Sequence, residues 1–147
     1  MHIGIDGRMV NWSGIGRYTQ NILKHIVVLD KVNDYSVFCH AEDRREMPGG
    51  ENVSLVEVDV PVFSIKGRGR WTKILKSANL DLFYTPYIIV PFEVPCRAVG
   101  TIHDLIPWRM PSVQKSLIAR LFYRRIIKRA APNWDCILVD SNFTRDD

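Results

Sequence analysis

The chain has 147 residues, of which 46% are hydrophobic and 24% charged, and its formal net charge at pH 7 is +4. This length and composition predict one globular domain with its own hydrophobic core. No signal-like leader and no apolar stretch of roughly 20 residues is present, so we expect a cytoplasmic location. The three cysteines are odd in number and widely spaced, which indicates reduced thiols and excludes a disulfide framework or a zinc site.

The first half of the chain alternates strand and helix patterns. In chain order it predicts a strand over 2–6, a helix from Ile15 to Leu29, strands over 35–40 and 53–58, and a short helix from Trp71 to Asn79. A Pro-Gly-Gly sequence separates the second and third strands and is typical of a loop.

The second half continues this alternation. It predicts strands over 82–85 and 98–103, a helix from Ser112 to Ala131 that Pro132 stops, a strand over 136–139, and a helix that Ser141 caps. The strands are apolar on both faces, which is typical of a parallel sheet covered by helices on both sides. We therefore predict an α/β fold with a doubly wound, mainly parallel, Rossmann-like sheet. Its ligand is expected at the edge where the strands end.

The sequence Gly14-Ile-Gly16 lies just ahead of the first predicted helix. A dinucleotide fingerprint needs a third glycine and a start directly after the strand, whereas here Thr19 takes the third position and Gly14 lies eight residues beyond Asp6. We therefore expect no nicotinamide or flavin cofactor. Two interpretations remain open: a loop whose amides face an anion, or a joint that admits a positive φ.

The pair His103-Asp104 follows the fifth predicted strand, at the expected ligand edge. A histidine there can donate to a sugar hydroxyl or a phosphate, and the carboxylate can bind hydroxyls. The alternative is a histidine bonded to a backbone carbonyl, with Asp104 capping the turn that follows. The position favours the ligand interpretation. The sequence has no Ser-His-Asp set, P-loop or zinc pattern, so no metal is expected.

Residues 112–131 carry six cations and no acid, so the rest of the chain has a net charge of −2. Basicity confined to one element argues against a nucleic-acid-binding surface. The segment combines an apolar stripe with a cationic face. This pattern fits contact with anionic lipid, and it equally fits a solvated face of a helix packed on the sheet.

Five short motifs occur in a fixed order along the chain. They span residues 3–8, 12–18, 81–86, 101–107 and 139–144. In this order they resemble the N-terminal half of retaining, GT-B fold glycosyltransferases of family 4, many of which build bacterial surface polysaccharides. The resemblance implies that residues 1–147 are the acceptor-side domain of a hexosyltransferase. Such an enzyme moves a sugar from a nucleotide-sugar donor to a glycan or lipid-linked acceptor.

The resemblance also implies that the donor-binding C-terminal domain is absent and that this chain alone is inactive. The alternatives are a non-catalytic module that binds acceptor or lipid, and a flavodoxin-like regulatory domain, whose acidic cluster is not evident. Expected partners are the donor, the acceptor, an anionic membrane surface through residues 112–131, and a second copy or a separate C-terminal half. Nucleic acid is excluded. No cofactor is implied, since the nucleotide-diphosphate sugar is a substrate.

The resemblance implies a catalytic role for His103 beside the transferred sugar. The predicted donor and acceptor contacts are Gly14, Gly16, Arg17, Tyr84 and Asp104. Tyr84 stands where members of the family often have a histidine.

Overall fold

A computed structural model describes residues 1–89, 91, 93–110 and 116–146, and it contains one six-stranded, all-parallel sheet with the strand order β3-β2-β1-β4-β5-β6. The strands are β1 His2–Asp6, β2 Asp34–Cys39, β3 Val53–Glu57, β4 Leu82–Thr85, β5 Arg97–Ile102 and β6 Cys136–Val139. The helices are α1 Ser13–Leu29, α2 Arg68–Ser77, α3 Ile106–Arg109, α4 Leu117–Asn133 and α5 Asn142–Asp146, with a 3-10 helix at Ala41–Glu46. The predicted doubly wound α/β fold is confirmed.

The element boundaries differ from the sequence prediction where the apolar residues show no clear repeat. The 3-10 helix was not predicted, because its mostly charged sequence has no apolar repeat. The prediction began α2 at Trp71, but the helix begins at Arg68, since its polar first turn shows no apolar repeat either. Asn79 ends this region with φ 49°, in the left-handed range that asparagine tolerates.

The basic helix also differs from its prediction. It continues past Pro132 to Asn133 and so ends two residues later than predicted. Pro132 lies in the last turn, and only one helical residue follows it. At its other end the predicted start, residues 112–115, lies outside the described residues.

Helices cover both faces of the sheet. On one face α1 buries Leu23 against Ile5 and Val37. On the other face α2 buries Trp71 against Phe38 and Phe83, and α4 packs at Trp134 and Ala98. Each such buried side chain contributes roughly 1.5–3 kcal/mol relative to its exposed state. The two-sided core explains why the strands read as apolar runs.

The strand order reverses between β1 and β4. These two parallel strands are neighbours in the sheet, and the chain leaves them toward opposite edges of the sheet. The chain leaves β1 through α1 toward β2, and it leaves β4 toward β5. Loops that diverge in this way open a crevice beyond the carboxyl ends of the two strands, where doubly wound sheets bind ligands. The segments that border this crevice are residues 7–12, 86–89 and 103–105.

A candidate ligand site at the carboxyl edge of the sheet

A buried ion pair fills the end of β1. Asp6 is fully buried and Arg8 is 3% exposed. Arg8 Nε and Nη2 donate to the two carboxylate oxygens of Asp6 at 2.8 and 2.7 Å, and Nη1 donates to the Val60 carbonyl at 2.9 Å. The guanidinium also lies 4.1 Å from the centre of the Trp71 ring. Arg8 is therefore committed to the protein interior and offers no charge to a ligand.

The two glycines of the first loop have different roles. Gly16 is buried, and a Cβ added there would overlap the Val10 carbonyl, so this glycine allows α1 to lie directly on the loop. Gly14 is exposed and has open space around it. No described glycine has a positive φ, so the interpretation as a joint that needs such a φ is wrong. The reason for Gly16 is the close approach of two backbones.

The N-terminus of α1 borders the crevice. Trp12 precedes the helix and makes no side-chain capping bond, and the first turn contains no acid. The amides of a first turn have no acceptor inside the helix, and the helix dipole favours an anion beside them. Arg17, one turn further on, is exposed and adds a positive charge to this end of the helix. The predicted contacts of Gly14, Gly16 and Arg17 with a ligand stay predictions.

His103 ties the ends of three strands together. Its Nε2 lies 3.0 Å from the Pro86 carbonyl after β4, and its Nδ1 lies 2.5 Å from Oδ2 of Asp140 after β6. Tyr18 packs edge-on against the ring, with centroids 4.8 Å apart. Both partners are acceptors, so a neutral ring donates to one of them and a protonated ring donates to both. These are the contacts of the structural alternative, and a contact between His103 and a ligand stays a prediction.

Tyr84 is buried under α1. Its hydroxyl lies 2.9 Å from Thr101 Oγ1 and donates to the Tyr18 hydroxyl at 3.2 Å. Burial raises the pKa of Tyr84, so its hydroxyl stays protonated at physiological pH. The side chain is part of the core on the α1 face. Its predicted ligand contact stays a prediction, and the hydrogen bonds to Tyr18 and Thr101 account for the buried hydroxyl.

Trp12 contacts two other aromatic residues, and each of the three comes from a different loop. The ring of Trp12, from the loop after β1, stacks on Phe63 with centroids 5.3 Å apart and planes at 17°. Tyr87, from the loop after β4, meets Trp12 edge-on at 5.9 Å. We call Trp12, Phe63 and Tyr87 the aromatic cluster. Phe63 is half exposed, so part of the ring surface faces solvent.

A cavity of about 160 Å³ adjoins the aromatic cluster. It is lined by Ile15, Tyr87, Ile88, Ile102, His103, Asp104, Pro107 and Tyr123. Tyr87 belongs to both the cluster and the cavity wall, and Ile15 lies in the first turn of α1. One space therefore borders Tyr87 of the cluster, Ile15 in the first turn of α1 and the His103-Asp104 pair. The described residues hold no cluster of three His, Cys, Asp or Glu side chains that would suit a metal ion.

Asp104 contributes the negative charge of this cavity. Its Oδ1 accepts from the Ile106 amide at 3.0 Å, the capping contact of the structural alternative, while the residue stays exposed. Burial, followed by the charge of Asp104, raises the pKa of both Tyr87 and Tyr123. Since Asp104 is exposed and accepts only this one bond among those given above, its carboxylate has capacity to accept further hydrogen bonds. Its predicted binding of hydroxyls stays a prediction.

Sequence reasoning missed the aromatic cluster and the Asp6–Arg8 pair. Phe63 and Tyr87 lie in irregular segments, where no periodicity distinguishes a ring that meets its neighbours from one that does not. An Asp-Gly-Arg sequence at the end of a strand likewise resembles an exposed turn. Position was the one available signal, because the aromatic cluster and the Asp6–Arg8 pair lie at or after the ends of strands that reach the ligand edge.

No known protein family matches the sequence, and no curated protein matches it. Among solved structures, the chain is similar to the oxidoreductase ylbE from Lactococcus lactis, with 14% sequence identity and a TM-score of 0.49. The alignment covers 93% of this chain and 67% of that chain. At this similarity no activity passes from that oxidoreductase to the present chain.

The predicted glycosyltransferase identity is corrected on these findings: no known family and no curated protein matches the sequence, and the solved structure named above is that of an oxidoreductase. The assignment to family 4, sugar transfer and polysaccharide synthesis are withdrawn with it. Four of the five motifs have local explanations in the fold. Asp6 pairs with Arg8, Gly16 allows helix packing, Asp104 caps a turn, and Ser141 Oγ accepts from the Thr144 amide at 3.1 Å. Such needs arise wherever parallel strands end in turns and helices.

Proposed function

We propose that this chain is a nucleotide-binding domain whose ligand lies across the carboxyl ends of β1, β4 and β5. One observation carries the proposal. Tyr87 joins the aromatic cluster to a cavity that also borders Ile15 in the first turn of α1 and the carboxylate of Asp104. A surface for a flat ring, a positive helix end and a hydroxyl acceptor therefore meet at the switch point of the sheet, and a nucleotide carries the three complementary groups.

Each part of the ligand has a partner of suitable chemistry. The base stacks on the aromatic cluster, a contact typically worth about 1–3 kcal/mol per base. The phosphates face the first-turn amides of α1 and the exposed cation of Arg17. The ribose hydroxyls donate to Asp104. His103 acts as a positioning residue that holds the ends of β4, β5 and β6 around the cavity.

The size of the cavity sets the expected affinity. At about 160 Å³ it is smaller than the roughly 300–1,000 Å³ of pockets that enclose a whole small molecule. It therefore holds one part of a nucleotide while the rest lies on the surface. We expect a dissociation constant of about 0.1–1 mM, equivalent to roughly 4–5.5 kcal/mol. A cytoplasmic location, where nucleotides are abundant, belongs to this proposal.

Titration calorimetry tests the ligand class. Uridine, guanosine and adenosine diphosphates should bind, whereas uridine alone and pyrophosphate alone should each bind at least tenfold more weakly, because each lacks one group of contacts. Nicotinamide adenine dinucleotide should bind no better than adenosine diphosphate, since the dinucleotide fingerprint is absent. Equal binding of pyrophosphate and the diphosphates would contradict a role for the aromatic cluster.

Matched variants test the location. Trp12→Leu should weaken diphosphate binding at least tenfold, whereas Phe143→Leu, at an exposed ring on α5, should leave it unchanged. Arg17→Ala should weaken diphosphate binding by about three- to tenfold, and Lys24→Ala on the same helix should not. Circular dichroism establishes that each variant is folded. Undiminished binding by folded Trp12→Leu, or no binding by the unaltered chain, would overturn the proposal.

A further inference from the structure

One side of α4 leaves large apolar side chains in solvent. Leu117, Ile118 and Leu121 are 65, 80 and 59% exposed. They are not the face that packs on the sheet, because Tyr123, Ile126 and Ile127 pack against the core around Trp134. At 100° per residue these two sets lie on opposite sides of the helix. The helix therefore has a second apolar face that the core does not use.

Cations continue this exposed side toward the C-terminus of the helix. Arg124, Arg125 and Lys128 are exposed, and together with Leu121 they line one shallow surface depression. Arg124 lies over the Trp108 ring at 5.0 Å. Within the described part of the chain, neither Arg125 nor Lys128 has a hydrogen-bond or ion-pair partner. No acid occurs between Leu117 and Asn133.

The spacing places these groups on one stripe. Leu117, Leu121, Arg125 and Lys128 fall within roughly 80° of one another around the helix axis. The stripe thus begins with exposed leucines and ends with exposed cations. We call this set, together with Ile118 and Arg124, the α4 surface. Its charge has one sign, so its partner must be anionic, and its leucines require a partner with an apolar layer beneath the anionic groups.

We propose that the α4 surface binds the face of an anionic lipid bilayer, with its leucines in the headgroup boundary and its cations on lipid phosphates. The helix lies on the membrane and does not cross it, since no described helix has the length and apolar character for a span. Exposed apolar side chains together with clustered cations are the combination that interfacial helices use. This inference is independent of the nucleotide site.

Sedimentation with vesicles tests the proposal on the whole chain. Vesicles of equal parts phosphatidylglycerol and phosphatidylcholine should bind the chain at least tenfold more tightly than phosphatidylcholine alone, a difference of about 1.4 kcal/mol. Raising the salt concentration from about 0.1 to 1 M should weaken this binding, because the Debye length falls from about 10 to 3 Å.

Two pairs of matched variants separate charge from apolar contact. Arg125→Glu with Lys128→Glu should abolish binding, whereas Lys24→Glu with Lys73→Glu, the same charge change at exposed lysines of α1 and α2, should weaken it less than threefold. Leu117→Ser with Leu121→Ser should weaken binding at least fivefold. Val28→Ser with Leu29→Ser, at exposed apolar positions of α1, should not.

Several outcomes would overturn the proposal. These are equal binding to both kinds of vesicle, no binding to either, and equal losses in the α4 and control variants. Self-association that the leucine variant removes, observed by ultracentrifugation without lipid binding, would assign the same surface to a second copy of this chain and reject the bilayer. Since all substituted side chains are exposed, folding of each variant is expected and is checked by circular dichroism.

Discussion

The end of β1 and the outer side of α4 use charge and apolar surface in opposite ways. At β1, Asp6 and Arg8 are buried together and every polar atom of the arginine head has a partner or an aromatic face. On α4, Arg125 and Lys128 face solvent beside leucines that are more than half exposed. The same residue types therefore serve the interior in one region and the surface in the other.

This difference separates residues that stabilise the fold from residues that are available to a partner. A buried charge with a partner is accounted for by stability, because removing the partner leaves an unpaired charge in a medium of low polarity. In the part of the chain that the structure describes, the exposed leucines of the α4 surface and the cations Arg125 and Lys128 have no such explanation. The aromatic cluster lies between these cases, since Trp12 is partly covered while Phe63 is half exposed. Substitutions should therefore lower the free energy of unfolding most at the buried ion pair and least on the α4 surface.

The largest effect is expected at the buried ion pair. Arg8→Met leaves the Asp6 carboxylate buried without its partner, and we expect a loss of about 3–5 kcal/mol in the free energy of unfolding. Arg125→Met, on the α4 surface, should change it by less than about 0.5 kcal/mol. Urea unfolding at pH 7 measures both. The double variant Asp6→Leu with Arg8→Met should lose less than Arg8→Met alone, and equal losses would show that the pair itself is not responsible.

A smaller contrast is expected within the first loop. Gly16→Ala places a Cβ against the Val10 carbonyl, and the backbone shift that follows should cost about 1–3 kcal/mol. Gly14→Ala meets open space in the first turn of α1 and should stabilise the chain by up to about 1 kcal/mol, since alanine favours the helix. Thermal unfolding of both variants gives the comparison. Similar losses at the two positions would mean that Gly16 is not needed for close packing.

An effect of similar or smaller size is expected at the histidine that joins three strand ends. His103→Ala removes the bonds to Pro86 and Asp140, and we expect a loss of about 1–2 kcal/mol in the free energy of unfolding. His25→Ala, at an exposed histidine bonded to its own helix at Asn21, should lose less than about 0.5 kcal/mol. Denaturant unfolding of both variants provides the measurement, and equal losses would argue against the positioning role of His103.

The smallest effect is expected at a half-buried network beyond α1. Hydrogen bonds from the Tyr35 hydroxyl and from Asn33 lower the pKa of Asp30, and burial followed by the bond to Asp30 raises the pKa of Tyr35 to about 12. Asp30→Asn should therefore lower the melting temperature at pH 7, while Asp34→Asn, at an exposed carboxylate, should not.

The pH dependence of this network follows from the direction of the two shifts. The contribution of Asp30 is present above its unfolded pKa of about 3.9 and is lost as the pH falls below that value toward the lowered folded pKa. The contribution of Tyr35 is present below about pH 10 and is lost as the pH rises through about 12. The melting temperatures of the unaltered chain and of Asp30→Asn should thus converge on acidification. A difference that stays constant from pH 7 to pH 3 would contradict the ionic character of the network.

The sequence by itself determined the fold class. Apolar runs such as residues 82–85 and the helical repeat after Ile15 report burial directly, and breakers such as Asn79 report where an element ends. These signals are local, so the strand boundaries agree with the prediction within about one residue. Their order also placed His103 and Asp104 at the carboxyl edge of the sheet, because parallel strands all end on the same side.

The tertiary structure decided which side chains meet. It brought Trp12, Phe63 and Tyr87 together from three loops, placed both ring nitrogens of His103 beside acceptors, and left Leu117 outside the core. Contacts of this kind depend on distances between segments far apart in the chain, which no local pattern encodes. Short motifs at strand ends meet the same local needs in unrelated proteins, and for that reason five of them in order predicted a family that no family or curated match supports.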